Sequence, residues 1–313
     1  AANGLPTPAL TYTFTGATTG SGNGTGSGLS FNKGITTVTV TATNPCGAPT
    51  CTFSVRVTDN VPPSITCPTP MTVSNTSGQC GAYVTYAPIV SDNCSGATFS
   101  VLSGPASGSL FSVGTTSVQL QATDAAGLTA TCAFTIRVND TELPNITCPN
   151  NIIKSSDANA CGAIVTYTNP TYSDNCSGAG LDHLSGGTSG STFPVGTTNV
   201  VWMATDAVNN TRTCSFSITV TDAQGPTITC PANMTRPTTT GQCAAQVTFN
   251  NPAASDNCAA PTLQWVSGGT GTVQGTTTST GTFGKGTTTV QWKATDAAGM
   301  TSTCTFRVIV NDT

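Results

Sequence analysis

Apolar residues alternate with polar ones in short segments along the chain. Two neighbouring segments show this most clearly, at Val118, Leu120 and Ala122, then at Cys132, Phe134, Ile136 and Val138. A period of two is typical of β-strands that bury one face. The residues between them, 123–127, include the Asp124 and Gly127 that tight turns favour. The pattern predicts an antiparallel hairpin.

The hairpin belongs to a unit that returns along the chain. The segment Ser64-Ile65-Thr66-Cys67-Pro68 recurs in similar form at 145–149 and 227–231. Three motifs follow each copy in the same order: a cysteine at 80, 161 or 243, a Ser-Asp-Asn-Cys at 91–94, 173–176 or 255–258, and a closing strand from 132, 214 or 304. A fixed period of this kind indicates tandem modules. We predict complete modules at 59–140, 141–222 and 223–313.

Residues 1–58 align with only the second half of a module. Phe31-Asn32-Lys33-Gly34 parallels 111–114, and the segment from Cys51 to Val55 parallels the closing strand. The first module is therefore expected to lack its opening half, and both ends of the chain look cut from a longer array. A natural chain with a degenerate first module is the alternative.

Short strands punctuated by Gly and Pro at intervals of roughly 8 to 12 residues predict a β-sandwich for each module. We therefore expect an all-β protein, built from tandem immunoglobulin-like β-sandwich modules in an extended array.

Composition narrows the class of partner. Only 7% of the residues are charged, against roughly 25% in an average soluble protein. Nine Lys and Arg, with a net charge of -4, cannot form the basic stripe that nucleic acid requires. The chain also lacks the run of about 18 apolar residues that a membrane helix needs. We expect neither a nucleic-acid partner nor membrane insertion.

Cysteine usage indicates the compartment. The 14 cysteines recur at regular spacing without the paired Cys and His positions of a zinc site. Regularly spaced cysteines in even number are typical of disulfides in an oxidising environment, which predicts an extracellular, cell-surface or secreted protein.

The ordered motifs P-x-I-T-C-P, C-x-A-x-V-x-Y, D-N-C, F-x-V-G-T-T, A-T-D-A-x-G and C-x-F-x-V-x-V-x-D resemble the HYR (hyalin repeat) module over nearly the whole chain. The third complete module departs from the pattern at 283–286. The resemblance implies immunoglobulin-like extracellular domains associated with adhesion. Four-cysteine versions in long arrays are similar to those of bacterial surface adhesins.

In a sandwich of this type the first and last strands are neighbours, which predicts one bridge per module. The expected pairs are Cys67 with Cys132, Cys148 with Cys214 and Cys230 with Cys304. The remaining cysteines of each module leave two alternatives. We favour pairing inside the module: Cys80 with Cys94, Cys161 with Cys176 and Cys243 with Cys258.

The other alternative joins Cys80 to Cys176 of the next module and would stiffen the array. In the half module, Cys46 and Cys51 are expected to pair around a turn.

Acidic residues recur at three positions of the repeat. They are the linker residues Asp59, Asp140, Asp222 and Asp312, the D-N-C residues Asp92, Asp174 and Asp256, and the turn residues Asp124, Asp206 and Asp296. If three such carboxylates met at each junction, they could ligate calcium, which takes six to eight oxygens. The stronger interpretation is that an Asp before a turn bonds its own backbone, and no compact calcium loop is present. No other cofactor is expected.

Aromatic residues offer little sign of a ligand site. Trp202 and Trp292 share the parity of core residues and are expected inside, whereas Trp265 lies on another strand and could be exposed. The single histidine, His183, occupies a position filled by Val or Trp in other modules. Without free thiols or clustered histidines, the chain is not expected to be an enzyme.

These observations predict a disulfide-stabilised stalk or filament segment of an adhesin. Its expected partners are neighbouring modules of a longer chain, with any glycan or protein ligand outside this fragment. One alternative is a binding module that recognises a glycan or protein around Trp265 and His183. Another is a self-assembling fibre whose incomplete first module is completed by a strand from another chain.

Overall fold

A computed structural model describes residues 7–274 and 277–312. These residues form 29 β-strands and no helix, so no described segment is a helix that could cross a membrane. By its internal contacts the chain divides into two compact units, Ala1–Glu142 and Leu143–Thr313. The predicted all-β class is confirmed.

The first module is a single four-stranded sheet. Its strands are β1 (Ala9–Gly16), β2 (Gly20–Asn23), β3 (Gly34–Thr43) and β4 (Thr50–Val57), in the order β2-β1-β3-β4. Val38 lies opposite Phe53 and Val40 lies opposite Cys51 on the β3–β4 ladder. Residues 7–58 contribute no second sheet, so this module has one layer where a sandwich has two.

The second module has both layers. Its strands are β5 (Ser64–Thr66), β6 (Met71–Ser74), β7 (Gly81–Tyr83), β8 (Ile89–Ser91), β9 (Thr98–Ser103), β10 (Leu110–Ser112), β11 (Gly114–Thr123) and β12 (Thr129–Asn139). A four-stranded sheet in the order β6-β12-β11-β9 faces the pairs β5-β8 and β10-β7. The predicted hairpin is β11–β12, with Val118 opposite Phe134.

The third module repeats this arrangement. Its strands are β13 (Asn145–Thr147), β14 (Ile152–Ser155), β15 (Gly162–Ile164), β16 (Thr171–Ser173), β17 (Gly180–Ser185), β18 (Thr192–Pro194), β19 (Gly196–Thr205) and β20 (Thr211–Thr221). Asn209 replaces the turn glycine of the second module, Gly127, and both have positive φ, 71° and 87°. Asn tolerates the left-handed region better than most residues, which explains the exchange.

The fourth module adds a strand. Its strands are β21 (Thr227–Thr229), β22 (Met234–Pro237), β23 (Ala244–Asn250), β24 (Ala253–Ser255), β25 (Thr262–Ser267), β26 (Thr270–Gln274), β27 (Thr278–Gly284), β28 (Gly286–Thr295) and β29 (Thr301–Asn311). Its second layer includes a three-stranded sheet, β23-β27-β26. The departure noted in the sequence at 283–286 falls where β27 ends and β28 begins.

The cores lie between the layers, where the alternating apolar residues meet. In the second module Phe111, Val118, Leu120 and Ile136 are fully buried. The equivalent strands of the other complete modules bury Trp202 and Trp292, as their parity predicted. Each Å² of apolar surface buried in such a core stabilises the fold by about 25 cal/mol.

Candidate functional site

One disulfide joins the two layers of each complete module. The bridges are Cys67–Cys132, Cys148–Cys214 and Cys230–Cys304, with Cα–Cα distances of 5.8, 5.8 and 5.7 Å. Each ties the segment after the opening strand to the closing strand, which is the pairing expected from the sequence. A bridge of this loop size contributes roughly 2 to 4 kcal/mol to a domain.

A fourth disulfide joins consecutive modules. Cys161 of the third module is bridged to Cys258 of the fourth, with a Cα–Cα distance of 4.6 Å. Beside it, Asn257 Nδ2 donates a hydrogen bond to the Ala160 carbonyl at 3.0 Å. The D-N-C loop of the fourth module therefore lies against the loop that precedes β15 in the third.

The favoured pairing inside modules is wrong for Cys161 with Cys176 and for Cys243 with Cys258. After Cys161 the chain runs through β15 and on to β16, in the other two-stranded sheet, before it reaches Cys176. That path leads away from Cys161, whereas the D-N-C loop of the next module lies beside it. The pairing across modules, left as the alternative by the sequence, is the one found here.

Four cysteines carry free thiols: Cys46, Cys51, Cys94 and Cys243. The predicted bridges Cys80–Cys94 and Cys46–Cys51 are therefore wrong. Cys80 and Cys176 are themselves disulfide-bonded. Cys46 lies in a turn closed by backbone hydrogen bonds between Asn44 and Gly47, outside the β3–β4 ladder that holds Cys51 opposite Val40.

The linker carboxylate of the first junction is fully enclosed. The Asp59 side chain has no exposed surface, and it accepts a hydrogen bond from Lys33 Nζ at 3.1 Å. Asn93 Nδ2 lies 3.4 Å away as a further donor. The Cys94 thiol, followed by Lys33, holds the pKa of Asp59 at about 2. Conversely, the bond to Asp59 raises the pKa of the Cys94 thiol.

A related cluster lies between the third and fourth modules. Ligand atoms of Asp222, Asp256 and Cys258 lie within 4.8 Å of one another, as do those of Asp59, Asp92 and Cys94 in the first junction. Asn257 Nδ2 donates to Asp222 Oδ1 at 3.3 Å, and the Cys258 amide donates to Asp256 Oδ2 at 3.0 Å. The D-N-C motif thus uses its Asp to fold its own loop and its Asn to hold the preceding linker.

The turn carboxylates cap their own turns. Asp124 Oδ1 accepts the amides of Ala126 and Leu128, both at 2.8 Å. Asp206 Oδ1 likewise accepts the amides of Val208 and Asn210, and Asp296 Oδ1 accepts the amide of Met300. This is the backbone role that the sequence favoured for an Asp before a turn.

The other two candidate calcium ligands also have local partners. Asp140 Oδ1 accepts the Glu142 amide at 3.2 Å, and Asp174 Oδ2 accepts the Cys176 amide at 3.0 Å. Calcium needs six to eight oxygens, and each cluster described above offers two carboxylates, one of which already holds Lys33 or Asn257. In these clusters Asp92 Oδ1 and Asp256 Oδ1 are buried without a hydrogen-bond partner among the described residues. Calcium stays a prediction from the sequence.

The aromatic candidates pack inward. The Trp265 ring lies 5.3 Å from Phe249 and stacks on Trp292 at 6.1 Å, and its Nε1 donates to the Ser267 carbonyl at 3.0 Å. The His183 ring lies edge-on to Trp202 at 4.9 Å. Both residues are half-buried.

Lys33 is a junction residue that the sequence reasoning missed. Its equivalent in the fourth module, Lys285, pairs with Asp312 at 2.6 Å, just as Lys33 pairs with Asp59. The second and third modules have Val113 and Val195 at this position. The recurrence of Lys opposite a linker Asp in two aligned modules was the signal that could have revealed the pair.

Comparison with known proteins agrees with the repeat. The family model described as the HYR domain matches residues 58–138, 139–220 and 221–310. Hyalin from Strongylocentrotus purpuratus is 36% identical over 72% of this chain, and hyalin from Lytechinus variegatus is 35% identical over 72%. The match covers 20% and 44% of those two proteins, so the chain spans less than half the length of either.

A rat protein with sushi, von Willebrand factor type A, EGF and pentraxin domains is 36% identical over 50% of the chain and 4% of its own length. These relatives are animal proteins, and they do not support the bacterial setting that the four-cysteine arrays suggested.

Among solved structures, cadherin domains 3–6 of protocadherin gamma B2 align over 99% of this chain and 96% of that one, at a TM-score of 0.37 and 14% identity. The titin fragment I67–I69 aligns over 81% of this chain and 100% of its own length, at a TM-score of 0.34 and 11% identity. Three consecutive matches to one family model, each enclosing a module with its own bridge between layers, place most of the chain in a single family: it belongs to the HYR domain family.

Proposed function

We propose that this chain is a structural, adhesive repeat region of an extracellular or cell-surface protein, in which disulfides fix each module and also fix the angle between modules. The observation that carries the proposal is the Cys161–Cys258 bridge. A covalent link across a junction adds little to the stability of either module's core. Its main effect is to restrict the motion of one module relative to the other.

The junction contains further contacts that would serve the same role. Asn257 reaches both the Ala160 carbonyl and the Asp222 carboxylate, so one side chain holds the preceding loop and the linker together. Domains joined by a flexible linker move relative to each other by default. A disulfide with flanking hydrogen bonds opposes that motion.

A passive role also suits the chemistry of the described residues. The turn carboxylates bond their own backbone, the D-N-C carboxylates fold their own loops, and the half-buried Trp265 packs against a core. Catalysis needs a nucleophile with an oriented base beside it. The clusters above contain no such pair, since the Cys94 thiol faces a carboxylate that raises its pKa.

The extracellular location is part of the same proposal. It rests on the disulfides, which persist in oxidising compartments, and on the similarity to two proteins named hyalin.

The junction can be tested by measuring the distance between two modules of the second unit. Nitroxide labels would be attached through a ketone-bearing unnatural amino acid at Ile153 of the third module and Val266 of the fourth, both of which are exposed. Pulsed electron resonance should give a narrow distance distribution in the oxidised chain. The distribution should broaden in the C161S/C258S variant.

The matched control is C243S, which removes a free exposed thiol and should leave the narrow distribution unchanged. Equally broad distributions with and without the Cys161–Cys258 bridge would contradict the proposed role.

A further inference from the structure

The inner face of the first module is covered over Phe14 and Val38, which are 4% and 1% exposed, but in the described chain it is uncovered around Phe53 of β4. Phe53 occupies the position of Phe134, Phe216 and Phe306 on the closing strand, and it is 50% exposed whereas they are 5%, 3% and 3% exposed. A cleft of about 440 Å³ opens beside Phe53. We call the uncovered inner surface of β3 and β4, around Val40, Phe53 and Val55, the open face. Its side chains are those that a sandwich would bury, but residues 7–58 provide no second layer to cover them.

In the part of the chain that the structure describes, the β4 edge of the same sheet also lacks a neighbouring strand. In each complete module the closing strand pairs in parallel with a strand of the opening half, with Ile136 opposite Met71, Ile218 opposite Ile152 and Val308 opposite Met234. Among residues 7–58, the closing strand β4 of the first module pairs only with β3. An edge with free backbone groups is a template for an added strand.

Two free thiols mark the positions where an opening half would attach. Cys51 aligns with Cys132, Cys214 and Cys304, each of which is bridged to the opening segment of its module. Cys51 is exposed and free.

The second thiol is Cys94. It aligns with Cys258, which is bridged backward to the cysteine that precedes the third strand of the preceding module. Cys94 is free as well, and its thiol is held against Asp59. Both partners that the repeat assigns to Cys51 and Cys94 belong to one element, the opening half of the first module.

We propose that the open face binds the opening half of a HYR module from outside residues 1–313, and that the complex is sealed by two disulfides, one to Cys51 and one to Cys94. A second copy of this chain is not the occupant, because each of its opening segments is already bridged to its own closing strand. The inference rests on the proposed function only in assuming that HYR modules are the building units.

Each sealing step oxidises two thiols to one disulfide. The two electrons pass to a small disulfide oxidant such as glutathione disulfide, which leaves as two molecules of glutathione. The two thiol protons go to the departing glutathione. Docking comes first, because it brings the thiols within the roughly 7 Å between Cα atoms that a disulfide tolerates.

The test uses the whole chain and a peptide copied from its own fourth module. Residues 225–255 contain an opening half with both cysteines, equivalent to Cys67 and Cys80 of the second module. The peptide would be mixed with the protein in a glutathione buffer, and the cross-links would be mapped by mass spectrometry without reduction. A scrambled peptide that keeps both cysteine positions is the control.

We expect the peptide equivalents of Cys230 and Cys243 to join Cys51 and Cys94 respectively. The yield at Cys51 should exceed that at Cys46 by at least about tenfold, and the scrambled peptide should lose this preference. The F53D variant, altered at a half-exposed position, should fold and still lose the preference.

Three results would overturn the inference. Equal labelling of Cys46 and Cys51 by both peptides would show that the open face does not select its occupant. A Cys51–Cys51 dimer would assign the face to a second copy, and a Cys46–Cys51 bridge in the unmixed protein would remove the thiol from the site. None of these results bears on the Cys161–Cys258 junction, so failure here leaves the proposed function standing.

Discussion

The side-chain amide of Asn257 donates to the main-chain carbonyl of Ala160 across the boundary between two modules, at 3.0 Å. The next residue of each loop is a cysteine of the bridge between those modules. The disulfide and the hydrogen bond therefore fasten the same two loops at adjacent positions.

Replacing Asn257 by Leu should leave Cys161–Cys258 formed but easier to open. The change removes two hydrogen bonds of the junction, each worth about 1 kcal/mol net, so the bridge should be reduced several-fold faster by dithiothreitol. Timed alkylation and peptide mapping would measure the rate. Cys148–Cys214 in the same sample is the internal control, and equal acceleration of both bridges would point to general loosening instead.

Removing the bridge itself should uncouple the third and fourth modules. In the C161S/C258S variant each module keeps its bridge between layers and should remain folded. Calorimetry should resolve two separate thermal transitions where the oxidised chain shows a joint one. The C243S variant should behave as the unaltered chain, and a joint transition in C161S/C258S would contradict the prediction.

The same Phe to Ala change should destabilise two aligned modules to very different extents. Phe134 is buried in a two-layer core, so F134A should cost about 3 to 5 kcal/mol of unfolding free energy. Phe53 lies half exposed on the open face, so F53A should cost less than about 1 kcal/mol. Guanidinium unfolding of the two variants would measure the difference. Comparable losses would mean that residues 7–58 bury Phe53 in solution.

The first junction should weaken in acid. The pKa of Asp59 is lowered from 3.8 to about 2 in the folded chain, so the folded state favours its ionised form. The stabilising contribution is complete above pH 4 and is lost as the pH falls from about 4 to about 2. Urea unfolding at several pH values in this range would give the free energy of unfolding as a function of pH. Its slope should be smaller in K33M, because that variant lacks a cation that lowers the pKa of Asp59.

R56M is the matched control for K33M, because Arg56 is an exposed cation of the same module with no ion pair among the described residues. An unchanged pH dependence in K33M would mean that Lys33 does not set the pKa of Asp59.

Much of the fold could be predicted from the sequence because alternation is a local signal. The parity of Phe134 and Ile136 places them inward whatever the neighbouring modules do, and their strand pairs as that parity requires. The bridge Cys67–Cys132 followed from the same parity once the first and last strands were taken as neighbours.

The junction was harder to predict because it depends on how modules meet. Cys161 and Cys258 are 97 residues apart, and nothing in the local pattern of either module shows which loop of the next one lies beside it. The surroundings of Trp265 were hard to predict for a related reason. It is half-buried against Phe249 and Trp292, which lie on other strands.

The bridges between layers also limit how far a complete module could lengthen under tension. If the chain were pulled from its ends, force would cross the third module through Cys148–Cys214 and the fourth through Cys230–Cys304, bypassing the residues enclosed by each bridge. Between them only the segment from Cys214 to Cys230, about 16 residues, is free to straighten, to roughly 55 Å. With the bridges reduced, the chain of a module of about 82 residues could extend to close to 290 Å. Oxidised HYR modules would thus behave as nearly inextensible links, and the redox state of the surroundings would set their tensile length.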